Sequence, residues 1–229
     1  MKPLAELLNL TGKSAIVTGG AKGIGKGIAY RLAEAGAGVV VADLDAESAQ
    51  QTAQELTDKG WKATAFTVDV SDEEQVQAMV SACKDTYGSV DVLVNNAGIY
   101  PPMPLAQMPV DLFEKVIHVN LRSVFLTTKY ASEVMKTQGG GKIINITSID
   151  AVHPSMVGLA HYDASKHGMW GFTKNSALEL SAHNIWVNAI APGGIATPNM
   201  AAMSQGAEPN EDATKAFMAK IPMHRMGEA

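Results

Sequence analysis

Short apolar runs alternate with longer stretches of helical period through most of this chain. Ser14–Thr18, Val39–Ala42, Ala63–Val68, Val92–Asn95, Lys142–Thr147 and Ile185–Ile190 are each four to six residues long. They are mostly continuous in apolar character, as strands buried on both faces of a parallel sheet are. Between them, Ile24–Ala35 runs to Gly36, Ala46–Lys59 runs to Gly60, and Asp72–Tyr87 follows Ser71 and stops at Gly88. Such spacing predicts helices capped by a side-chain oxygen at the start and ended by a glycine. A connection rich in Pro and Met, Ile99–Pro109, leads into a helical stretch from Asp111 to Lys136. That stretch is too long for one pair of caps and predicts two helices or one bent helix. Gly139–Gly141 predicts a tight turn before the fifth strand. A further helical stretch starts near Tyr162, and a last element is expected over Pro209–Lys220, after which the chain reaches Ala229 without another strand. Strand–helix alternation of this kind predicts an α/β fold, a doubly wound parallel sheet of Rossmann type with helices on both faces. No composition shift or fixed-period repeat divides it, so residues 1–229 are expected to form one domain.

Composition narrows the partners. Lys+Arg 18 against Asp+Glu 23 gives a net charge of −5, with no cluster of basic residues, which argues against nucleic acid or an anionic membrane. The single cysteine, Cys83, has no intramolecular partner and cannot build a thiolate metal site. It sits in an amphipathic helical pattern and is expected to be a small buried hydrophobe. Met1–Leu10 contains Pro3 and Glu6 and never makes the apolar run of a signal peptide. The reading is therefore a cytoplasmic protein, and the Asn-x-Thr matches at Asn9 and Asn145 are chance. His161 and His167 are six apart, on different helical faces, so no metal site is expected. A small molecule remains as the partner.

Candidate chemistry begins where the first strand runs into Thr18-Gly19-Gly20-Ala21-Lys22-Gly23-Ile24-Gly25 and opens a helix. There, backbone N–H groups and the helix dipole can hold a pyrophosphate. A Mg²⁺-binding phosphate loop does not fit, because Gly27 follows Lys26 where a hydroxyl is needed. Asp43, with Leu44 after it, ends the second strand about 20 residues beyond the turn, where a carboxylate accepts from an adenosine ribose and repels a 2′-phosphate. Lys22 pulls the other way. The carboxylate carries more weight, so NAD is favoured over NADP.

Further along, Tyr162 and Lys166 stand four apart at the start of a helical stretch and share a face. A free Tyr has a pKa of ~10, and a neighbouring ammonium favours the phenolate, lowering it. Ser148 ends the fifth strand, at the sheet edge where such folds bind ligands. Its hydroxyl can polarise a carbonyl.

Taken together, the glycine turn, Asp69-Val70, Asn95-Asn96-Ala97-Gly98, Asn120, Ser148, Tyr162-x-x-x-Lys166, and Pro192-Gly193 with Thr197 resemble the short-chain dehydrogenase/reductase family in its common single-domain form. The resemblance covers nearly the whole chain. It implies that Tyr162 is the general acid or base, Ser148 hydrogen-bonds the substrate oxygen, and Lys166 lowers the Tyr162 pKa and binds the nicotinamide ribose. Asn120 would anchor the water of a proton relay. Gly19, Lys22, Gly23, Ile24 and Gly25 would hold the diphosphate, Asp43 and Leu44 the adenosine ribose side, and Asp69 and Val70 the adenine. Asn96, Ala97 and Gly98 would line the cofactor path, and Pro192, Gly193, Ile195 and Thr197 the carboxamide end. Met103, Met156, Met200 and Met203 are candidates for an adaptable apolar substrate wall, and Asp150, His153 and His161 for recognition of hydroxyls. The function so implied is hydride transfer between NAD and a small-to-medium secondary alcohol or ketone, in a homodimer or homotetramer. Reduction of 3-oxoacyl groups on a carrier protein with NADPH, or dinucleotide binding without catalysis, are the alternatives. Past Arg225–Gly227 the resemblance implies one more helix and a seventh strand that this sequence does not carry.

Overall fold

The structure, a computed structural model, describes residues 3–198, 218–219 and 221–229. After a short helix α1 (Leu4–Leu7), the chain alternates β1 (Ser14–Thr18), α2 (Gly23–Glu34), β2 (Gly38–Asp43), α3 (Ala46–Thr57), β3 (Ala63–Thr67), α4 (Glu73–Tyr87) and β4 (Val92–Asn95). Then come α5 (Val110–Ile117), α6 (Ser123–Thr137), β5 (Gly141–Ile146), α7 (Ala160–Leu180) and β6 (Ile185–Ile190). The six strands form one sheet in the order β3-β2-β1-β4-β5-β6, every pair parallel. Strand order reverses between β1 and β4, the point outside whose carboxyl ends sheets of this kind bind their ligands.

Alternation along each strand sorts the core into two layers. Ala15 and Val17 of β1 pack with Ala29 and Ala33 of α2 and Ala49, Ala53 and Leu56 of α3. Ile16 faces the other way, toward Met79 and Cys83 of α4, Leu126 and Met135 of α6 and Leu180 of α7. Cys83 is buried, and desolvation pushes its thiol up to about 11, as its amphipathic setting predicts. A buried polar chain ties the helices under the site to the sheet. Thr127 of α6 donates to Asn95 at 2.7 Å, Asn95 to Asn145 at 2.8 Å, and Asn145 to Thr173 of α7 at 2.8 Å.

Several expectations are corrected. Asp72 and not Ser71 caps α4, accepting from the Gln75 amide at 3.0 Å, while Gly88 closes the helix at φ 85° as expected. The Asp111–Lys136 stretch holds two helices, as expected, and what the sequence did not indicate is the junction: α5 and α6 are joined by a π turn, His118–Arg122. Gly141 belongs to β5. The two edge strands are not buried on both faces, since β3 is half-buried and Trp186 and Ile190 of β6 are 58% and 54% exposed. Ile185 and Val187 join the core on one face of β6, whereas the opposite face lies outside the reach of α2 and α3. A two-residue strand β8 (Gly227–Glu228) pairs with β7 (Ile195–Ala196), where no further strand was expected. Of the predicted element Pro209–Lys220 only residues 218–219 are described, and they are helical. Met200 and Met203 lie outside the described residues. Among those residues no helix is long and apolar enough to cross a membrane, and no cluster of three potential metal ligands occurs.

Candidate active site

The glycine turn is built for close approach. Gly19 and Gly23 hold φ of +61° and +52°, the left-handed region that suits residues without a Cβ. A Cβ on Gly19 would meet Asn96 and Ala97 at 2.9 Å, and one on Gly23 would meet Thr197 at 3.2 Å. Asn96 braces the turn by donating Nδ2 to the carbonyls of Thr18 and Gly19 at 3.0 and 2.9 Å. The Thr18 hydroxyl accepts the amides of Asn96 and Ala97. Asp45 and Asp72 cap α3 and α4 with their side chains, but Lys22 at the start of α2 makes no such bond. The first N–H groups of α2 therefore have no side-chain cap to compete with the diphosphate of a dinucleotide. The residues fit that group.

Asp43 follows at the end of β2. Its Oδ2 accepts from the Ala21 amide and its Oδ1 from the Asp45 amide, both at 3.1 Å, which fixes the carboxylate and leaves lone pairs for a ribose. Lys22 does not hang free: its Nζ lies 2.7 Å from Asp45, and this pairing raises the Lys22 pKa. Leu44 is exposed and Ile24 half-buried beside them. Asp69 accepts from the amide and hydroxyl of Ser71 at 2.8 and 2.7 Å, next to buried Val70.

Across the carboxyl edge of the sheet, the π turn presents Asn120. Its Oδ1 accepts from the Ile99 amide at 2.8 Å, and its Nδ2 donates to the Ile99 carbonyl at 2.9 Å and to Ser165 at 3.1 Å. The side chain is thus a clamp between the loop after β4 and α7. Gly98 fills the gap above it, where a Cβ would stand 3.3 Å from Asn120 Oδ1 and 3.7 Å from Lys166 Nζ. Lys166 is buried and donates to the Ile146 carbonyl at 2.8 Å, and burial pulls its ammonium down to about 8.

Ser148 stands at the end of β5, in hydrogen-bonding contact with Tyr162. Burial pushes the Tyr162 phenol up to about 12, Ser148 works against that, and the Asp150 carboxylate adds to it. The lowering expected from Lys166 is corrected here. Its Nζ lies 5.6 Å from the Tyr162 ring centroid and takes no part in a shift that burial sets. The Ile149 amide donates to the Pro192 carbonyl at 3.0 Å, which brings Pro192 and Gly193 alongside Ser148. Ile195 lies in β7, and Thr197 reaches back to the glycine turn.

Three proposed substrate contacts look different in place. His161 is fully buried, its Nε2 donating to the Pro101 carbonyl at 3.0 Å, so it holds the loop. Asp150 is buried too, bonded to Ser148 and Ser155, whereas His153 is exposed. Met103 donates its amide to Gly158 at 2.9 Å, joining two of the expected pocket segments, and Met156 is partly exposed. Tyr100, which sequence reasoning missed, packs its ring 5.6 Å from that of Tyr162 and bonds its hydroxyl to Thr197. Its position two residues after Asn95-Asn96-Ala97-Gly98 was the available signal. Ser165, the partner of Asn120, gave none.

A family model described as short chain dehydrogenase matches residues 13–208. The 3beta-hydroxysteroid dehydrogenase 2 of Eggerthella lenta is 41% identical over 201 residues, 87% of this chain and 77% of that protein. The 3-oxoacyl-[acyl-carrier-protein] reductase FabG of Thermotoga maritima is 36% identical over 220 residues, 96% of this chain and 87% of that protein. Among solved structures, a 7 alpha-hydroxysteroid dehydrogenase complexed with NADH and 7-oxo glycochenodeoxycholic acid superposes with a TM-score of 0.90 at 35% identity, covering 100% of this chain and 86% of that one.

Proposed function

Since this chain belongs to the short-chain dehydrogenase/reductase family of oxidoreductases, which bind NAD(P), we propose that it transfers a hydride between NAD and a secondary alcohol or ketone of small to medium size. The observation that carries this reading is the convergence of Ser148, Tyr162 and Lys166 at the carboxyl edge of the sheet, opposite an uncapped glycine turn. Asp43 favours NAD: its fixed carboxylate repels a 2′-phosphate, and Lys22, a nearby cation that would receive such a group, is paired with Asp45.

A bound dinucleotide would supply the hydride chemistry. Gly19, Lys22, Gly23, Ile24 and Gly25 would hold its diphosphate, Asp43 and Leu44 its adenosine ribose side, Asp69 and Val70 its adenine, and Asn96 to Gly98, Pro192, Gly193, Ile195 and Thr197 its nicotinamide half. Tyr162 gives a proton to the substrate oxygen in reduction and takes one in oxidation. Ser148 bonds the same oxygen, and Lys166 places positive charge beside it. Asn120 fixes the loop and helix that carry these groups. The relation to FabG supports a second reading, reduction of 3-oxoacyl groups with NADPH, but Asp43 opposes it.

The test pairs calorimetric titration of NAD and NADP with a hydride-transfer assay over secondary alcohols that include a hydroxysteroid, a cyclic alcohol, a polyol and a 3-hydroxyacyl thioester. NAD is expected to bind more tightly, and Tyr162→Phe to slow turnover by about 100- to 10,000-fold with NAD affinity retained. Preference for NADP, or near-full turnover by Tyr162→Phe, would overturn the reading.

A further inference from the structure

Asp150 brings a carboxylate within a hydrogen bond of Ser148. It lies on the 3₁₀ turn Ile149–Ala151, is 5% exposed, and takes part in no ion pair among the described residues. Two donors stand in for a cation: the Ser155 amide at 2.7 Å on Oδ1 and the Ser148 hydroxyl at 2.9 Å on Oδ2. Burial of a charge is strongly disfavoured without such partners. The Ser148 proton is therefore held firmly, because a bond to a charged acceptor is roughly twice as strong as one between neutral groups.

A serine hydroxyl has one proton and two lone pairs. Here the proton goes to Asp150, and one lone pair takes the Asp150 amide at 3.1 Å. A lone pair is what remains for Tyr162. Yet Ser148 favours an ionised Tyr162 only by donating its proton, since a phenolate has nothing to donate. The same proton cannot serve both oxygens.

We propose that Asp150 is a positioning residue: by holding the Ser148 proton it decides whether Ser148 meets Tyr162 and the reacting oxygen as a donor or as an acceptor. The inference rests on the roles of Ser148 and Tyr162 proposed above. A substrate hydroxyl can take the place of Tyr162 on the remaining lone pair of Ser148 while Asp150 keeps the proton. A carbonyl only accepts, and must draw that proton away from a carboxylate. Asp150 thereby favours the alcohol over the ketone as the bound form and keeps Tyr162 neutral until the Ser148 hydroxyl turns.

Among the described residues, the titratable groups that bear on Tyr162 are Asp150, Tyr100, Asp163 and Lys166, and His161 and His167 act on Asp163. Asp163 is a second negative charge near Tyr162, and it is left in place by the substitutions below. Tyrosine labelled with ¹³C at Cζ reads ionisation directly in the full chain without ligand, and Tyr162→Phe assigns its resonance among the five tyrosines. Wild type, Asp150→Asn, Ser148→Ala and the double variant are titrated. Asp150→Asn is expected to lower the Tyr162 pKa by about two units with Ser148 present and by less than half of that with alanine there. Only in the first case is a proton released toward the phenolate. Equal falls in both backgrounds would reduce Asp150 to a charge acting through space and overturn the proposal, as would no fall in either. Asp150→Ser repeats the comparison should the asparagine protein not fold. Because no substrate is present, the outcome stands apart from the hydride-transfer assay, and failure of one is distinguishable from failure of the other.

Discussion

Lys22 and Asp45 hold each other at 2.7 Å at the mouth of the glycine turn, and Asp45 uses the same carboxylate to cap α3 through the Ser48 amide at 3.0 Å. The pair keeps a cation from swinging toward the place where Asp43 stands. Asp45→Ala frees Lys22 and removes one negative charge, so the ratio of NADP to NAD affinity is expected to rise several-fold. Asp43→Asn removes the nearer charge and should move the ratio further in the same direction. Calorimetric titration with both dinucleotides reads this, and an unchanged ratio in Asp45→Ala would show that the pairing has no bearing on cofactor choice.

Lys166 makes stability depend on pH. Its ammonium is held down to about 8 by burial, against 10.5 for an unburied lysine. Below pH 8 the group is charged in both the folded and the unfolded chain, and the folded chain bears the whole desolvation cost, on the order of 3 kcal/mol. Between pH 8 and 10.5 the folded chain binds fewer protons than the unfolded one, so stability rises with pH and the cost disappears. Tyr162, raised to about 12, acts in the opposite sense only above pH 10. Urea unfolding of wild type and Lys166→Met at pH 7 and pH 9.5 should show the wild type gaining on the variant at the higher pH. A constant difference would mean that the ammonium is not desolvated as its position indicates.

Asn145 is fully buried and satisfied on both sides, by Asn95 and by Thr173. Asn145→Ala strands the buried Asn95 amide donor, leaves the Thr173 hydroxyl only its bond to the Met169 carbonyl, and is expected to cost about 2 kcal/mol in denaturant unfolding. The same burial rules out a glycan at this Asn-x-Thr site in the folded chain, in line with reading the match as chance.

Much of this arrangement was legible in the amino-acid sequence, and the exceptions have physical causes. All six sheet strands were found because central strands under helices on both faces must be apolar throughout. That same rule misjudged Trp186 and Ile190, since an edge strand covered on one face can be apolar and still exposed. β7 and β8 are two residues each, too short for any period to register. The glycine turn and Tyr162-x-x-x-Lys166 are local and could be read. Partners that meet only through the fold could not: Lys22 with Asp45, Asn120 with Ser165, and His161 with Pro101. The pKa of Tyr162 went astray for the same reason. Sequence shows which charge is four residues away, but not how completely water is excluded.

Asn120 offers a check on the clamp. Asn120→Ala leaves the Ile99 amide and carbonyl and the Ser165 hydroxyl without their partner, and is expected to cost on the order of 3 kcal/mol. Ser165→Ala removes one bond of the three and should cost about 1 kcal/mol. Thermal or urea unfolding gives both values. Equal losses would show that the bond to α7, and not the hold on Ile99, carries the effect.

The π turn that seats Asn120 is, in arithmetic terms, a helix with a surplus residue. Removing any one of residues 118–122 would let α5 and α6 fuse into a regular helix with every backbone bond closed. The rest of α6 would keep its phase, because five residues of a π turn and four of an α-helix sweep nearly the same angle about the axis. A shortened chain of this kind would keep its circular dichroism and the place of Leu126 and Met135 in the core while losing the widened turn that holds Asn120 against Ile99 and Ser165. At this point one residue more than the helix needs is spent on the site and not on the fold.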